Sequence, residues 1–236
     1  QVQLGEALET YPPPSNVFNN VNREIFNNKE GIKVLYSNVD SLLNKRAELD
    51  TVLELYSYDL ILLTEIFPKN VANLAISEFN IDGYDLFMSS TEKGRGTAIY
   101  AKSKYKISLD ENLTNNVFKE SVWCRMPLSD SDTLLIGTIY RSPSSDDFNI
   151  RKLNELLIQA SNSKDSHILI AGDFNYKDID WDLRECSNGD QDSASFIEFV
   201  NDCYFFQHVR KPTRYRTGNN PSLLDLVFTN EEQMIE

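Results

Sequence analysis

The residues of this sequence whose types could do chemistry stand directly after short apolar runs. The predicted strand 167–171 is followed by Gly-Asp-Phe-Asn, which brings an acid at Asp173 and an amide at Asn175. If the backbone stays extended, these two side chains point the same way. Such a pair could hold one phosphate and one water, although a polar residue that closes a strand is more often a plain turn former.

Three more apolar runs end in a polar group, namely Asn38, Glu65 and Tyr140. Cleavage of a phosphodiester adds negative charge to the phosphate oxygens, which a cation and neutral donors such as Asn and Tyr can stabilise. Magnesium suits such a mixture because it prefers hard oxygen ligands and often takes only one or two protein carboxylates.

The elements that must position these groups are strands arranged in hairpins, with helices inserted between pairs of strands. The apolar patterning predicts strands at 32–37, 59–64, 84–89, 97–101, 122–128, 133–140, 167–171 and 223–229, and helices at 40–56, 147–161 and 194–201. The apolar stripe of the first helix is predicted at Leu42, Leu49, Leu53 and Tyr56, and that of the second at Leu153, Leu156, Leu157 and Ala160. A doubly wound parallel sheet would need a helix after nearly every strand, and the hairpins disfavour it. The pattern therefore predicts an α+β layered sandwich, two sheets face to face with helices outside.

Composition narrows the class of protein further. The chain has 236 residues, 41% of them hydrophobic, which is enough for a full core. Its net charge of −13 excludes a general nucleic-acid coat protein, because neutralised phosphates supply most of the affinity of such proteins. Three cysteines without a CxxC spacing argue against a disulfide framework and a structural zinc, and favour an intracellular location. No apolar run is long enough to span a membrane.

The domain boundary and one turn also follow from local composition. Residues 1–30 contain a triple proline and many asparagines, which predicts a linker or a loosely attached arm before a folded domain at 31–236. The segment Gly94-Arg95-Gly96 is interpreted as part of a hairpin turn rather than a phosphate loop, because no helix-opening Gly-Lys-Ser/Thr follows it.

Several motifs occur along the chain in an order that is typical of one protein family. They are Ser-Asn-Val-Asp-Ser-Leu at 37–42, Leu-Thr-Glu at 63–65, Tyr-Arg-Ser-Pro at 140–143, Ala-Gly-Asp-Phe-Asn at 171–175, Ile-Asp-Trp at 179–181, Gln-His-Val-Arg-Lys-Pro-Thr-Arg at 207–214 and Leu-Asp-Leu-Val-Phe-Thr-Asn at 224–230. This set resembles the exonuclease–endonuclease–phosphatase superfamily. More narrowly, it is similar to the endonuclease domain of LINE-type non-LTR retrotransposon polyproteins.

The resemblance implies a four-layered α/β/β/α sandwich of two mixed sheets, with the active site at one end of the packed sheets. It also implies a magnesium ion, with manganese as a substitute. Carried over by position, Glu65 resembles the metal ligand and Asn38 its neighbour at the metal and phosphate. Tyr140 is similar to the tyrosine that hydrogen-bonds a phosphate oxygen.

Further roles follow from the same resemblance. Asp173 looks like the acid that orients or deprotonates the attacking water, or protonates the leaving oxygen. Asn175 resembles the amide that holds the phosphate, and Asp225 the carboxylate that orients a catalytic histidine. Thr213 matches a threonine at the DNA-facing rim.

One departure from the family pattern concerns the histidine. The family closes its motif series with Ser-Asp-His on a further strand, whereas this sequence has only His167 and His208 and ends at Glu236. The resemblance therefore implies a domain that is truncated before its last strand and nicks DNA slowly. It also implies an exposed sheet edge through which the chain self-associates.

The segment between Cys203 and Leu224 contains no acid and concentrates positive charge. Its cations are Arg210, Lys211, Arg214 and Arg216. With Arg141 and Thr213 they form the predicted DNA-contacting set, although four such charges also fit a solvated loop.

Three functions remain open at this point. The first is a magnesium-dependent endonuclease that nicks double-stranded DNA in the nucleus to prime reverse transcription, with a reverse transcriptase domain in the parent polyprotein. The second is a phosphoinositide or sphingomyelin hydrolase of the same superfamily. The third is a catalytically impaired derivative that serves as a binding or assembly module.

Overall fold

The computed structural model describes residues 23–25, 31–69, 74–89, 95–129, 131–186, 189–215, 218 and 220–235. The strands within these residues are β1 (Arg23–Ile25), β2 (Ile32–Asn38), β3 (Leu60–Thr64), β4 (Tyr84–Met88), β5 (Thr97–Lys102), β6 (Ser108–Leu109), β7 (Ser121–Pro127), β8 (Thr133–Tyr140), β9 (His167–Asp173), β10 (Ile179–Asp180), β11 (Glu185–Cys186), β12 (Phe206–Gln207) and β13 (Asp225–Thr229). The helices are α1 (Leu42–Tyr56), α2 (Glu111–Asn116), α3 (Asp147–Ser161) and α4 (Gln191–Asp202).

Two mixed sheets form the centre of the structure. The first has the order β1-β2-β3-β5-β4, and the second has the order β12-β13-β9-β8-β7-β6. In the first sheet β2 and β3 are parallel, and in the second β8 and β9 are parallel. The other pairings within both sheets are antiparallel, because hairpins supply most of the strands.

The two sheets pack face to face around an apolar core. Leu60 and Leu62 of β3 lie in this core together with Leu169 and Ala171 of β9. The alternate residues of β3, such as Ile61, belong to a second apolar cluster on the outer face of the first sheet. Because β3 is buried on both faces, its sequence reads as an unbroken apolar run.

Helices cover the outer face of each sheet and complete four layers. α1 contributes Leu42 and Leu49 to the cluster on the first sheet. α3 and α4 contribute apolar residues, among them Leu156 and Phe196, to the cluster on the second sheet. The α+β sandwich predicted from the hairpins, and the α/β/β/α layering implied by the resemblance, are therefore confirmed.

The apolar stripes predicted for α3 and α1 agree with the observed burial to different extents. All four residues predicted to form the stripe of α3, from Leu153 to Ala160, are buried. In α1 the predicted stripe is wrong at Tyr56, whose side chain is 47% exposed. The helix ends there, because Ser57 adopts a left-handed conformation and turns the chain into β3.

The segment before residue 31 is described only at β1, which pairs antiparallel with β2. The rest of the predicted arm lies outside the described residues, so its boundary stays a prediction. Within the described part of the chain, every helix is too short or too polar to cross a bilayer.

Candidate active site

The strand registers bring the predicted polar residues to one end of both sheets. Asn38 is paired with Thr64, the residue before Glu65, across the parallel strands of the first sheet. In the second sheet Asp173 is paired with Tyr140 on one side and with Asp225 on the other.

The amide of Asn38 joins the two sheets at this end. Its Nδ2 donates to Oε1 of Glu65 at 3.0 Å and to Oδ2 of Asp173 at 2.8 Å. One neutral side chain thus holds two carboxylates that stand on different sheets. The structure therefore places Asn38, Glu65 and Asp173 in one hydrogen-bonded cluster.

Glu65 is held by its backbone as well as by its side chain. Its φ is 54°, a left-handed conformation that is rare for a residue with a side chain. Its carbonyl accepts a hydrogen bond from the backbone N–H of Ser41 at 2.7 Å, which ties the chain after β2 to the chain after β3. The side chain is 10% exposed, and its Oε2 contacts the guanidinium of Arg95.

Asp173 is a buried acid with an unusual proton affinity. Burial, followed by the negative charge of Asp225, raises its pKa to about 7, although Asn38, Asn175 and Arg214 favour the charged form. Its Oδ1 is buried and has no hydrogen-bond donor among the described residues. A carboxyl group with these properties can take up and release a proton near neutral pH.

Asp225 is fixed by two groups from different elements. The hydroxyl of Tyr36 donates to its Oδ1 at 2.8 Å, and Tyr36 also lies 3.2 Å from the hydroxyl of Thr64. The hydroxyl of Thr213 accepts a hydrogen bond from the backbone N–H of Asp225 at 3.1 Å. Burial raises the pKa of Asp225, and hydrogen bonds from Thr213 and Tyr36 oppose this shift.

Tyr36 is a site residue that the sequence analysis missed, because it reads as one more strand residue of β2. Burial and the neighbouring charge of Asp225 raise the pKa of Tyr36 well above its usual value, so its hydroxyl remains a donor. The sequence feature that could have indicated Tyr36 is a tyrosine within an apolar strand, because the hydroxyl of a buried tyrosine needs a hydrogen-bond partner.

Tyr140 lines the same end of the second sheet. It is buried, and burial raises the pKa of its hydroxyl, while the charge of Arg95 lowers it. Its backbone N–H donates to the carbonyl of Glu120 at 2.9 Å. Burial also raises the pKa of Glu120 to about 6. Glu120 carries no signal in the sequence, because it precedes a strand rather than closing one.

Arg141 holds the turn that presents Asn175. Asn175 has a φ of 54°, and its Nδ2 donates to the carbonyl of Arg141 at 2.8 Å. The guanidinium of Arg141 donates to the carbonyls of Phe174 and Asn175 at 3.3 and 3.4 Å and lies 4.0 Å from the ring centre of Tyr176. Arg141 is only 6% exposed, so this packing argues against the predicted surface contact with DNA and assigns it to the turn.

Both histidines of the chain direct their imidazoles away from the carboxylate end of the second sheet. Nδ1 of His167 lies 2.9 Å from a carboxylate oxygen of Glu231, and His167 begins the strand that Asp173 ends. Six residues of extended chain separate these two positions by about 20 Å. Nε2 of His208 lies 2.6 Å from the hydroxyl of Thr229, at the far end of β13 from Asp225. Neither imidazole reaches the carboxylate cluster.

The predicted DNA-contacting segment borders the cluster through Thr213 and Arg214. The positive charge of Arg214 acts on both Asp173 and Asp225, where it favours the charged forms. Arg210 lies farther out and forms an exposed ion pair with Asp182 at 3.1 Å. Lys211 is exposed, and Arg216 lies outside the described residues.

The donor set fits a single hard cation. Glu65 supplies a carboxylate, and Asp173 Oδ1 is a buried oxygen without a donor among the described residues. The amide nitrogen of Asn38 holds both carboxylates, while its oxygen accepts a hydrogen bond from the backbone N–H of Asp40 at 3.3 Å. Among those residues, no group of three His, Cys, Asp or Glu side chains could hold a metal unaided. Magnesium tolerates this, because it often keeps several waters and takes few protein ligands.

Comparisons with known proteins concern part of the sequence and the fold. Residues 134–236 match a family model described as endonuclease-reverse transcriptase. Among curated proteins the chain has no significant sequence match.

Solved structures share the fold over most of the chain. The endonuclease domain of TRAS1, a telomere-specific non-LTR retrotransposon, superposes with a TM-score of 0.62 at 17% identity, over 84% of this chain and 85% of that one. The AP endonuclease LMAP from Leishmania major has the same TM-score and identity, over 84% and 79% of the two chains. An AP endonuclease from Archaeoglobus fulgidus gives 0.56 at 16% identity, over 84% and 86%.

Proposed function

We propose that the chain is a magnesium-dependent phosphodiester hydrolase of the exonuclease–endonuclease–phosphatase superfamily that nicks double-stranded DNA, which the family match over residues 134–236 and the shared fold support. The observation that carries this proposal is the hydrogen-bonded cluster of Asn38, Glu65 and Asp173 at one end of both sheets. The endonuclease-reverse transcriptase family match supports a retrotransposon origin, in which a nick in nuclear DNA primes reverse transcription by a domain of the parent polyprotein.

The residues of the cluster divide the work of hydrolysis. Asp173, with a pKa of about 7, accepts a proton from the attacking water or gives one to the leaving oxygen. Tyr140 and Asn175 would donate to the phosphate as neutral groups, so they would add no repulsion to a group that is already negative. Asp225, held by Tyr36, keeps a second negative charge beside Asp173 and thereby raises its proton affinity.

A divalent cation held by Glu65 would offset the negative charge that develops on the phosphate oxygens during hydrolysis, and Asn38 would position the carboxylate of Glu65 by donating to it. Arg214 would contribute at the border of the cluster by contacting the DNA backbone. The Arg210–Arg214 segment is the feature that favours DNA over a phosphoinositide or sphingomyelin headgroup, because a polymeric phosphate backbone uses several spaced cations.

A plasmid-nicking assay tests the proposal. Supercoiled plasmid should become nicked with magnesium and stay intact with EDTA, and Asp173→Asn and Glu65→Gln should each abolish the nicking. Glu155→Gln is the matched control, because Glu155 is an exposed acid on α3 that pairs with Lys152 away from the cluster. Magnesium-independent nicking, or nicking that survives Asp173→Asn, would contradict the proposal.

A second function is favoured by the position of the two histidines. Since neither imidazole reaches Asp225, the general acid–base contribution of a histidine, typically 10²–10⁴ in rate, is not supplied by the described site. A chain that binds DNA but leaves the plasmid intact under long incubation with magnesium would be a binding or assembly module with the same fold.

A further inference from the structure

Arg95 lies among carboxylates beside the proposed cation site, although the sequence places it in a hairpin turn. Its guanidinium contacts Oε2 of Glu65 and lies 3.1 Å from Oδ1 of Asp40. The backbone of Arg95 also donates a hydrogen bond to the side chain of Glu120. The arginine side chain is 34% exposed and that of Glu65 is 10% exposed, so the pair lies at the edge of the site rather than in the core.

The backbone around Arg95 fixes this position. The N–H of Phe67 donates to the carbonyl of Arg95 at 2.9 Å, and the N–H of Ile66 donates to the carbonyl of Gly96 at 3.3 Å. Gly96 has a φ of 70°, and a Cβ there would lie 2.4 Å from the ring of Phe67. The turn is thus fastened to the two residues that follow Glu65, which holds the guanidinium within reach of that carboxylate.

The contact compensates a buried charge. A carboxylate removed from water is costly unless a counter-charge or hydrogen bonds replace its hydration. Asn38 satisfies one oxygen of Glu65, and Arg95 is the cation in ion-pair contact with the other among the described residues. A divalent ion coordinated by Glu65 would approach within about 2.1 Å of the same carboxylate. At that distance it would repel a guanidinium that remained on Oε2.

We propose that Arg95 neutralises Glu65 in the cation-free protein and that a divalent cation must displace the guanidinium in order to bind. This inference rests on the proposed function, because it takes Glu65 as the cation ligand. Arg95 then sets the cation affinity of the site. Asp40, which also contacts Lys69 at 3.2 Å, holds the displaced guanidinium nearby.

Isothermal titration calorimetry of the full chain with manganese chloride tests the inference. Arg95→Gln should bind manganese about fivefold more tightly than the parent, the size expected when one partly exposed ion pair no longer competes. In cation-free buffer the same variant should melt at a lower temperature, because Glu65 loses its counter-charge. The increase in melting temperature on adding manganese should be larger for the variant than for the parent.

Lys69→Gln is the matched control, since it removes a positive charge that contacts Asp40 but not Glu65. It should change manganese affinity by less than twofold at ionic strength near 0.15 M, where exposed charges are screened. An equal gain of affinity in both variants would mean that only net charge matters, and would overturn the inference. If Arg95→Gln does not fold, Arg95→Lys replaces it, and an affinity equal to or below that of the parent would likewise overturn it.

The failure of this inference can be told apart from the failure of the proposed cation site. If Glu65→Gln abolishes manganese binding while Arg95→Gln binds as the parent does, the cation site stands and displacement of Arg95 is refuted. If the parent, Arg95→Gln and Glu65→Gln all bind manganese equally, the cation site itself is refuted, and the inference with it.

Discussion

Because the pKa of Asp173 is raised, we expect ionisation of this acid to destabilise the folded domain as the pH rises. In the unfolded chain the pKa of this carboxyl lies near its ordinary value of 3.8, whereas in the folded protein its pKa is about 7. The folded state therefore holds a proton that the unfolded state releases between these values. Below pH 4 the carboxyl is neutral in both states, and above pH 7 the folded state carries a buried charge that burial and Asp225 disfavour.

The magnitude follows from the separation of the two pKa values. About three pKa units, at 1.36 kcal/mol per unit, amount to roughly 4 kcal/mol between pH 4 and pH 8. Asp173→Asn removes this dependence. Relative to the parent, the variant should therefore gain roughly 4 kcal/mol in free energy of unfolding when the pH is raised from 4 to 8. Titration of Asp225 does not cancel this gain. The pKa of Asp225 is also raised in the parent, and in the variant the neutral amide at position 173 lets Asp225 ionise without a charged neighbour.

Urea unfolding of both proteins at pH 4, 6 and 8, in EDTA, measures the effect. The difference between parent and variant cancels the other titrating groups of the chain. Asp85→Asn is the control, because Asp85 accepts a hydrogen bond from Ser103 at 2.7 Å away from the cluster, and its difference from the parent should not change in this way. If the difference between the parent and Asp173→Asn were the same at pH 4 and pH 8, the proton affinity argued for Asp173 would be wrong.

Three further outcomes are expected. Arg141→Lys should lower the nicking rate tenfold or more with little change in DNA affinity, since a lysine lacks the planar guanidinium that lies over Tyr176 while donating to the carbonyls of the turn that presents Asn175; equal loss of rate and affinity would contradict this. Tyr36→Phe should shift the acidic limb of the pH–rate profile upward, because Asp225 loses a donor that favours its charge; an unshifted profile would exclude coupling through Tyr36. Replacing Arg214 and Arg216 by glutamine should lower the slope of log K against log salt by about 0.9 for each lost phosphate contact, and an unchanged slope would identify a solvated loop.

The apolar patterning of the sequence by itself determined most of the layered architecture. Strands such as β3 and helices such as α3 are long enough for their period to be read, and burial of one stripe or both faces decides where they lie. The shortest strands, β6 and β10 to β12, have two residues each and carry no period, so they were missed. The burial of Tyr56 was misjudged because a stripe cannot indicate where a helix runs past the sheet that it covers.

The motif residues at strand ends were also available from the sequence, but their contacts were not. Only the tertiary structure decided that one amide, Asn38, would join Glu65 and Asp173 across two sheets, since the residues are 27 and 135 positions apart from it in the chain. The same holds for Arg141, whose charge suggested a surface contact but whose side chain is buried on Tyr176. It holds as well for Tyr36 and Arg95, which a local pattern assigned to a strand and a turn. The local sequence determines on which face of a strand or helix a side chain lies, whereas the contacts of that side chain depend on the register and packing of distant strands.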